Sequence, residues 1–136
     1  MMSHDGYQPE RLATAWARVV SHETPPRIVI GDFLDDWRRV TDTKTRIDLI
    51  SLPIPDTADA DLHRWSAFVA ALVEYVTVRA GMTPPVWVFD DRWTLTEPWF
   101  INPYWKLRAW QLVATPPPWK RRRIFGGDEP TMIGRI

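Results

Sequence analysis

Asp59–Ala80, DADLHRWSAFVAALVEYVTVRA, is the stretch whose reading decides the fold. Leu62, Trp65, Phe68, Val69, Leu72, Val73 and Val76 recur at three- and four-residue steps, which is the spacing of one face of an α-helix and not of a strand. An aspartate or threonine just ahead of it supplies an N-terminal cap, and Gly81 supplies a C-terminal stop. This is the longest and most regular pattern in the chain. It predicts a central helix against which the remaining segments pack.

Upstream, the same periodicity appears three times at shorter length. Pro9–His22 places Leu12, Trp16, Val19 and Val20 on one face, and Pro25-Pro26 ends it. A second amphipathic helix is expected to start near Gly31, with Ile30, Phe33, Leu34, Trp37 and Val40 inward. Asp32, Asp35 and Asp36 then fall near its N-terminus, where the helix dipole favours negative charge. Thr43–Ser51 offers a short third helix with Ile47 and Ile50 one turn apart, closed by Leu52-Pro53-Ile54-Pro55. The aspartates at 32, 35 and 36 thus have a structural explanation. Those at 56, 59 and 61 lack the further ligands, glycine and distal glutamate of a calcium loop.

Downstream the character changes. Val86–Phe125 carries six of the nine tryptophans. Pro84-Pro85 leads into a short extended segment, and residues 86–100 are expected to wrap the central helix in irregular or extended form. Trp87, Trp93, Trp99 and Trp105 recur every six residues, but Pro98 and Pro103 interrupt any strand that could use that period. Asn102-Pro103 reads as a cap and first turn for a helix over Tyr104–Ala114. Trp105, Ala109, Leu112 and Val113 are expected to face the body, with Lys106 and Arg108 outward. Trp119–Phe125 follows three prolines, and Gly126-Gly127 opens a tail.

The chain of 136 residues has no net charge, 45% apolar residues and no cysteine. Its size and apolar content suit one domain that builds its core without disulfides or metals. The expected division is a disordered start over 1–8, a single mainly α-helical domain over 9–125 and a flexible tail over 126–136. Without a signal peptide or an apolar run long enough to span a bilayer, it is expected to be soluble and cytoplasmic and to make no membrane contact. Charge is uneven: residues 1–97 hold 10 Lys/Arg against 15 Asp/Glu, whereas residues 98–127 hold six against none. Such a basic segment can meet an acidic partner, meet nucleic acid, or fold back on the chain's own acidic part.

No motif for nucleophilic, acid–base or metal chemistry is present. His4, His22 and His63 sit in unlike surroundings, and Asp90-Asp91 point apart if the segment is extended. No enzymatic activity and no cofactor or metal are expected. Tryptophan and arginine are, however, the residues that anchor protein interfaces.

Gly31–Trp37 (GDFLDDW), Pro84–Val88 (PPVWV), Glu97–Phe100 (EPWF), Leu107-Arg108-Ala109 and Thr115–Phe125 (TPPPWKRRRIF) resemble a poorly characterised group of bacterial antitoxin-like proteins. In high-GC bacteria these are encoded beside nucleotidyltransferase-like toxins, often behind a helix-turn-helix domain. The resemblance implies a toxin-antitoxin system in which the chain inhibits a nucleotidyltransferase-like toxin. Its matched, partner-binding positions are Trp99, Phe100, Leu107, Arg108, Trp119, Arg121, Arg122 and Arg123. The first 30 residues depart from the pattern in lacking a helix-turn-helix. The alternative is a nucleic-acid-binding regulator that uses the basic face of residues 104–125.

Overall fold

Six α-helices and two two-residue strands form among residues 9–127, the part of the chain described by the computed structural model. The fold is mainly α-helical. Where the sequence suggests one domain over 9–125, the chain divides into two units, Met1–Pro55 and Asp56–Ile136. The division falls at Pro53-Ile54-Pro55, where two prolines remove backbone donors and no helix can continue. The expected disorder over 1–8 and most of the expected tail lie outside the described residues.

The first unit is built from α1 (Leu12–Val20), α2 (Pro26–Arg39) and α3 (Thr43–Ile50). Its core is formed by Leu12, Trp16 and Val19 of α1, Val29, Ile30, Phe33, Leu34 and Trp37 of α2, and Leu49 and Ile50 of α3. α2 begins five residues before the expected start near Gly31 because Pro26 takes the first helical position, where its fixed φ and missing N–H cost nothing. The aspartates therefore lie within the helix, not in its first turn. Asp35 and Asp36 pair with Arg38 and Arg39 one turn on, at 2.9 and 3.1 Å. α3 is capped by Asp42, whose Oδ2 accepts from Thr45 N at 2.7 Å, and Ile47, expected inward, is exposed.

The second unit is organised on α4 (Ala60–Arg79), capped by Asp59, whose Oδ1 accepts from Leu62 N at 3.1 Å. Gly81 follows with φ +73, the left-handed conformation that ends helices and that glycine adopts without strain. An amphipathic stripe describes α4 only at its ends, since every residue from Ser66 to Glu74 is buried. Ser66 and Thr77 are accommodated there by donating to the carbonyls of Leu62 and Val73, each at 2.8 Å. Residues 86–100 do wrap α4 in largely irregular form. The segment starts as 3₁₀ turns at Val86–Phe89 and Asp91–Trp93, not as the extended strand expected after Pro85.

Two further short helices, α5 (Arg108–Ala114) and α6 (Pro117–Lys120), complete the unit. β1 (Trp99-Phe100) and β2 (Ile124-Phe125) pair in parallel, Trp99 opposite Ile124 and Phe100 opposite Phe125. Gly126 and Gly127 belong to this packed unit, not to a tail. Both are buried, and their N–H groups donate to Thr115 Oγ1 at 3.1 and 3.0 Å.

Candidate partner-binding face

The eight positions matched by the resemblance do not form one surface. Trp119 is 3% exposed and is packed against Phe68 and Tyr75 of α4, with ring centroids 5.5 and 5.0 Å away. Arg122 is 4% exposed. One of its nitrogens donates to Glu74 Oε1 at 2.8 Å and to Pro118 O at 2.6 Å, and the other to Val88 O at 2.6 Å. Arg121 holds the other side of the same carboxylate with both terminal nitrogens. Burial pulls the Arg122 guanidinium below its ordinary pKa, Glu74 opposes this, and neighbouring Arg121 adds to the lowering. An arginine stays cationic at any physiological pH regardless. Two of the three consecutive arginines thus fold back on an acidic residue of their own unit.

Arg123 takes a third role. Its Nη1 donates to Thr96 O at 2.9 Å and its carbonyl accepts from Trp99 N at 2.9 Å, which sets the chain into the β1–β2 pair. It does so at φ +66, a left-handed conformation that costs a residue with a Cβ about 1–2 kcal/mol. Arg123→Ala and Arg123→Gly both lose the Thr96 bond, but only alanine keeps the strain. The glycine variant is expected to be the more stable of the two by about 1 kcal/mol in urea unfolding; equal midpoints would show that the backbone is not strained there.

The other four positions lie toward the surface. Trp99 is half-buried, edge-on to Trp65 at 4.9 Å, with the Arg64 guanidinium 5.0 Å over its ring. Phe100 stacks on Phe125 at 5.1 Å and has Arg108 4.6 Å over its outer face. Leu107 is half-buried and closes a 3₁₀ turn, Trp105–Leu107, that leads into α5.

The segment from Tyr104 to Val113 reverses the sequence expectation. The helix expected over Tyr104–Ala114 is a 3₁₀ turn followed by α5 from Arg108, and the residues expected to face the body, Trp105, Ala109, Leu112 and Val113, are exposed to solvent: Trp105 is 69% and Val113 78% exposed. The buried residue of α5 is Gln111. Its amide accepts from Asn102 N at 3.1 Å and donates to Asn102 O at 3.0 Å, and its carbonyl accepts from the Thr115 hydroxyl. Those bonds seat α5 by its polar side, so the apolar stripe is left outward. The expected Asn102 cap becomes a local turn, in which its Oδ1 accepts from Tyr104 N at 3.0 Å. Gln111 was the available signal, since it is the lone polar residue between Ala109 and Ala114, but periodicity does not say which face of a helix is inward.

Cations border the exposed stripe. Lys106 Nζ stands 5.7 Å from the Trp105 ring, Arg108 lies over Phe100, and Lys120 Nζ donates to Val113 O at 3.3 Å at the end of α5. Lys106, Arg108, Lys120 and Arg123 make no ion pair among the described residues.

Groups that could support catalysis are engaged structurally. His63 Nδ1 meets Asp56 Oδ1 at 2.7 Å, and the ring stacks on buried Trp93 at 5.6 Å. Asp61 pairs with Arg64 at 2.7 Å, and Asp90 with Arg92 at 3.1 Å. Among the described residues no group of three or more His, Asp or Glu side chains is placed to hold a metal ion. No helix among them is long and apolar enough to cross a membrane. In comparison with known proteins, the chain matches no family model, no curated protein and no solved structure.

Proposed function

We propose that this chain is a non-enzymatic binding protein of the bacterial cytoplasm that takes a protein partner on the outward face of residues 104–113. In the antitoxin-like form of this reading, the partner is a toxin encoded by the adjacent gene, of nucleotidyltransferase-like type, and binding inhibits it. The carrying observation is the exposure of Trp105, Leu112 and Val113 along the 3₁₀ turn and α5 while a glutamine takes the interior position. A rigid helix presenting aromatic and aliphatic side chains beside cations has the composition of an interface centre. Water exclusion from such side chains is favourable, so leaving them exposed costs stability unless a partner covers them.

The test is calorimetric titration of the full chain against the product of the adjacent open reading frame. Trp105→Glu/Val113→Glu is expected to weaken binding about 100-fold or more, because these are the two most exposed large apolar side chains of the stripe. An unchanged affinity, or no binding by the native chain, would refute the assignment.

A second reading, nucleic-acid binding by a regulator, is favoured by Lys106, Arg108, Lys120 and Arg123, which make no ion pair among the described residues, and by the exposed indole of Trp105, which could stack on a base. Phosphate contacts release counterions, so this reading requires affinity to fall steeply between about 50 and 200 mM salt. An apolar stripe requires much less dependence.

A further inference from the structure

We infer that the segment bound on this face is an acidic amphipathic helix of the partner, an apolar stripe bordered on both flanks by carboxylates. The inference rests on the protein-binding reading above and names the chemistry of the occupant.

Its first ground is charge complementarity. Lys106 stands beside Trp105, Arg108 opens α5 and lies over Phe100, and Lys120 meets Val113 at the C-terminal end of α5. The sequence from 98 to 127 holds no Asp or Glu that could neutralise them locally. A segment lying along the stripe therefore passes close to three cations. Carboxylates on its flanks are favoured, and lysines there are repelled.

Its second ground is the shape and character of the stripe. Positions 109, 112 and 113 lie on α5 at the i, i+3, i+4 spacing of one helical face, with Trp105 in the 3₁₀ turn just ahead of them, and such ridges interdigitate with those of another helix. The ridge is about 13 Å long, which matches two to three turns of a partner helix. Besides the exposed rings of Tyr104, Trp105 and Trp110, the segment presents Leu112 and Val113, aliphatic carbons that a partner helix can pack against and on which a nucleic acid base cannot stack. Arg121 and Arg122, which would extend a phosphate track, are spent on Glu74. These observations favour a protein helix over a nucleic acid.

Synthetic peptides provide the test without knowledge of the natural partner. Three 18-residue peptides are titrated into the full chain by fluorescence anisotropy: a leucine stripe bordered by glutamates, the same stripe bordered by lysines, and a scrambled glutamate peptide of identical composition. The glutamate-bordered helix is expected to bind at least tenfold more tightly than either control. Trp105→Glu/Val113→Glu is expected to abolish that binding. Lys106→Glu/Arg108→Glu, which alters only exposed side chains, is expected to invert the preference toward the lysine-bordered peptide, with the melting temperature of both variants checked against the native chain.

Equal binding of the lysine-bordered or scrambled peptide would overturn the inference, as would tighter binding of a 20-nucleotide oligo-dT. Concentration-dependent dimers that disappear in Trp105→Glu/Val113→Glu would assign the face to a second copy instead. A tenfold gain of peptide affinity in Asp128→Lys/Glu129→Lys would assign it to the chain's own last residues, and either result overturns the proposal. The two readings fail separately: if the adjacent gene product binds, but no better to the native chain than to Lys106→Glu/Arg108→Glu, protein binding stands and the acidic helix does not, whereas no binding of that product by the native chain refutes the broader reading.

Discussion

Glu74→Ala is expected to destabilise the second unit by about 3–5 kcal/mol, the cost of leaving a buried charge without its counterion. Glu74 is 4% exposed, and its carboxylate is the meeting point of Arg121 and Arg122. Arg122 cannot respond by moving into water, because its remaining donors are fixed on Val88 O and Pro118 O. Arg121 is different. Its side chain is 53% exposed, so Arg121→Ala loses a screened interaction worth about 1 kcal/mol or less. Denaturant unfolding of the two variants checks the ordering. A loss below about 1 kcal/mol for Glu74→Ala would mean that water reaches the pair and that it does not clamp the 115–125 segment to α4.

Trp119→Ala is expected to cost about 3–5 kcal/mol through the cavity left between Phe68 and Tyr75. The loss belongs to folding. Trp119→Phe, which keeps a ring between those two side chains, is expected to recover most of it. Partner binding measured at a temperature where Trp119→Phe stays folded is expected to be native-like, since Trp119 is 3% exposed. A tenfold loss of affinity in that folded variant would place Trp119 at the interface, as the resemblance implies.

Much of the α-helical framework was legible from apolar spacing, because the periodicity of a helix is local and survives in the sequence. Leu62 to Val76 marks α4, and Asp59 and Gly81 mark its ends. Proline was legible as a breaker, but Pro26 was not legible as the start of α2, because the same residue type that stops one helix is pre-organised to begin the next. The irregular wrap of residues 86–100 followed from prolines that deny any strand its donors.

What the sequence could not assign was direction and partnership. The stripe Trp105, Ala109, Leu112 and Val113 has the same spacing whether it faces a core or water, and its direction was decided by Gln111 exchanging two hydrogen bonds with the backbone of Asn102. Likewise Lys120-Arg121-Arg122-Arg123 reads as one basic run, yet its members have four different fates. Arg121 and Arg122 converge on Glu74, 47 and 48 positions away, Arg123 turns left-handed beneath β2, and Lys120 caps α5. Pairing across that separation depends on where the folded chain brings a carboxylate. The sequence determined which segments become helices, and only the tertiary structure decided which charges are spent inside and which apolar face is left exposed.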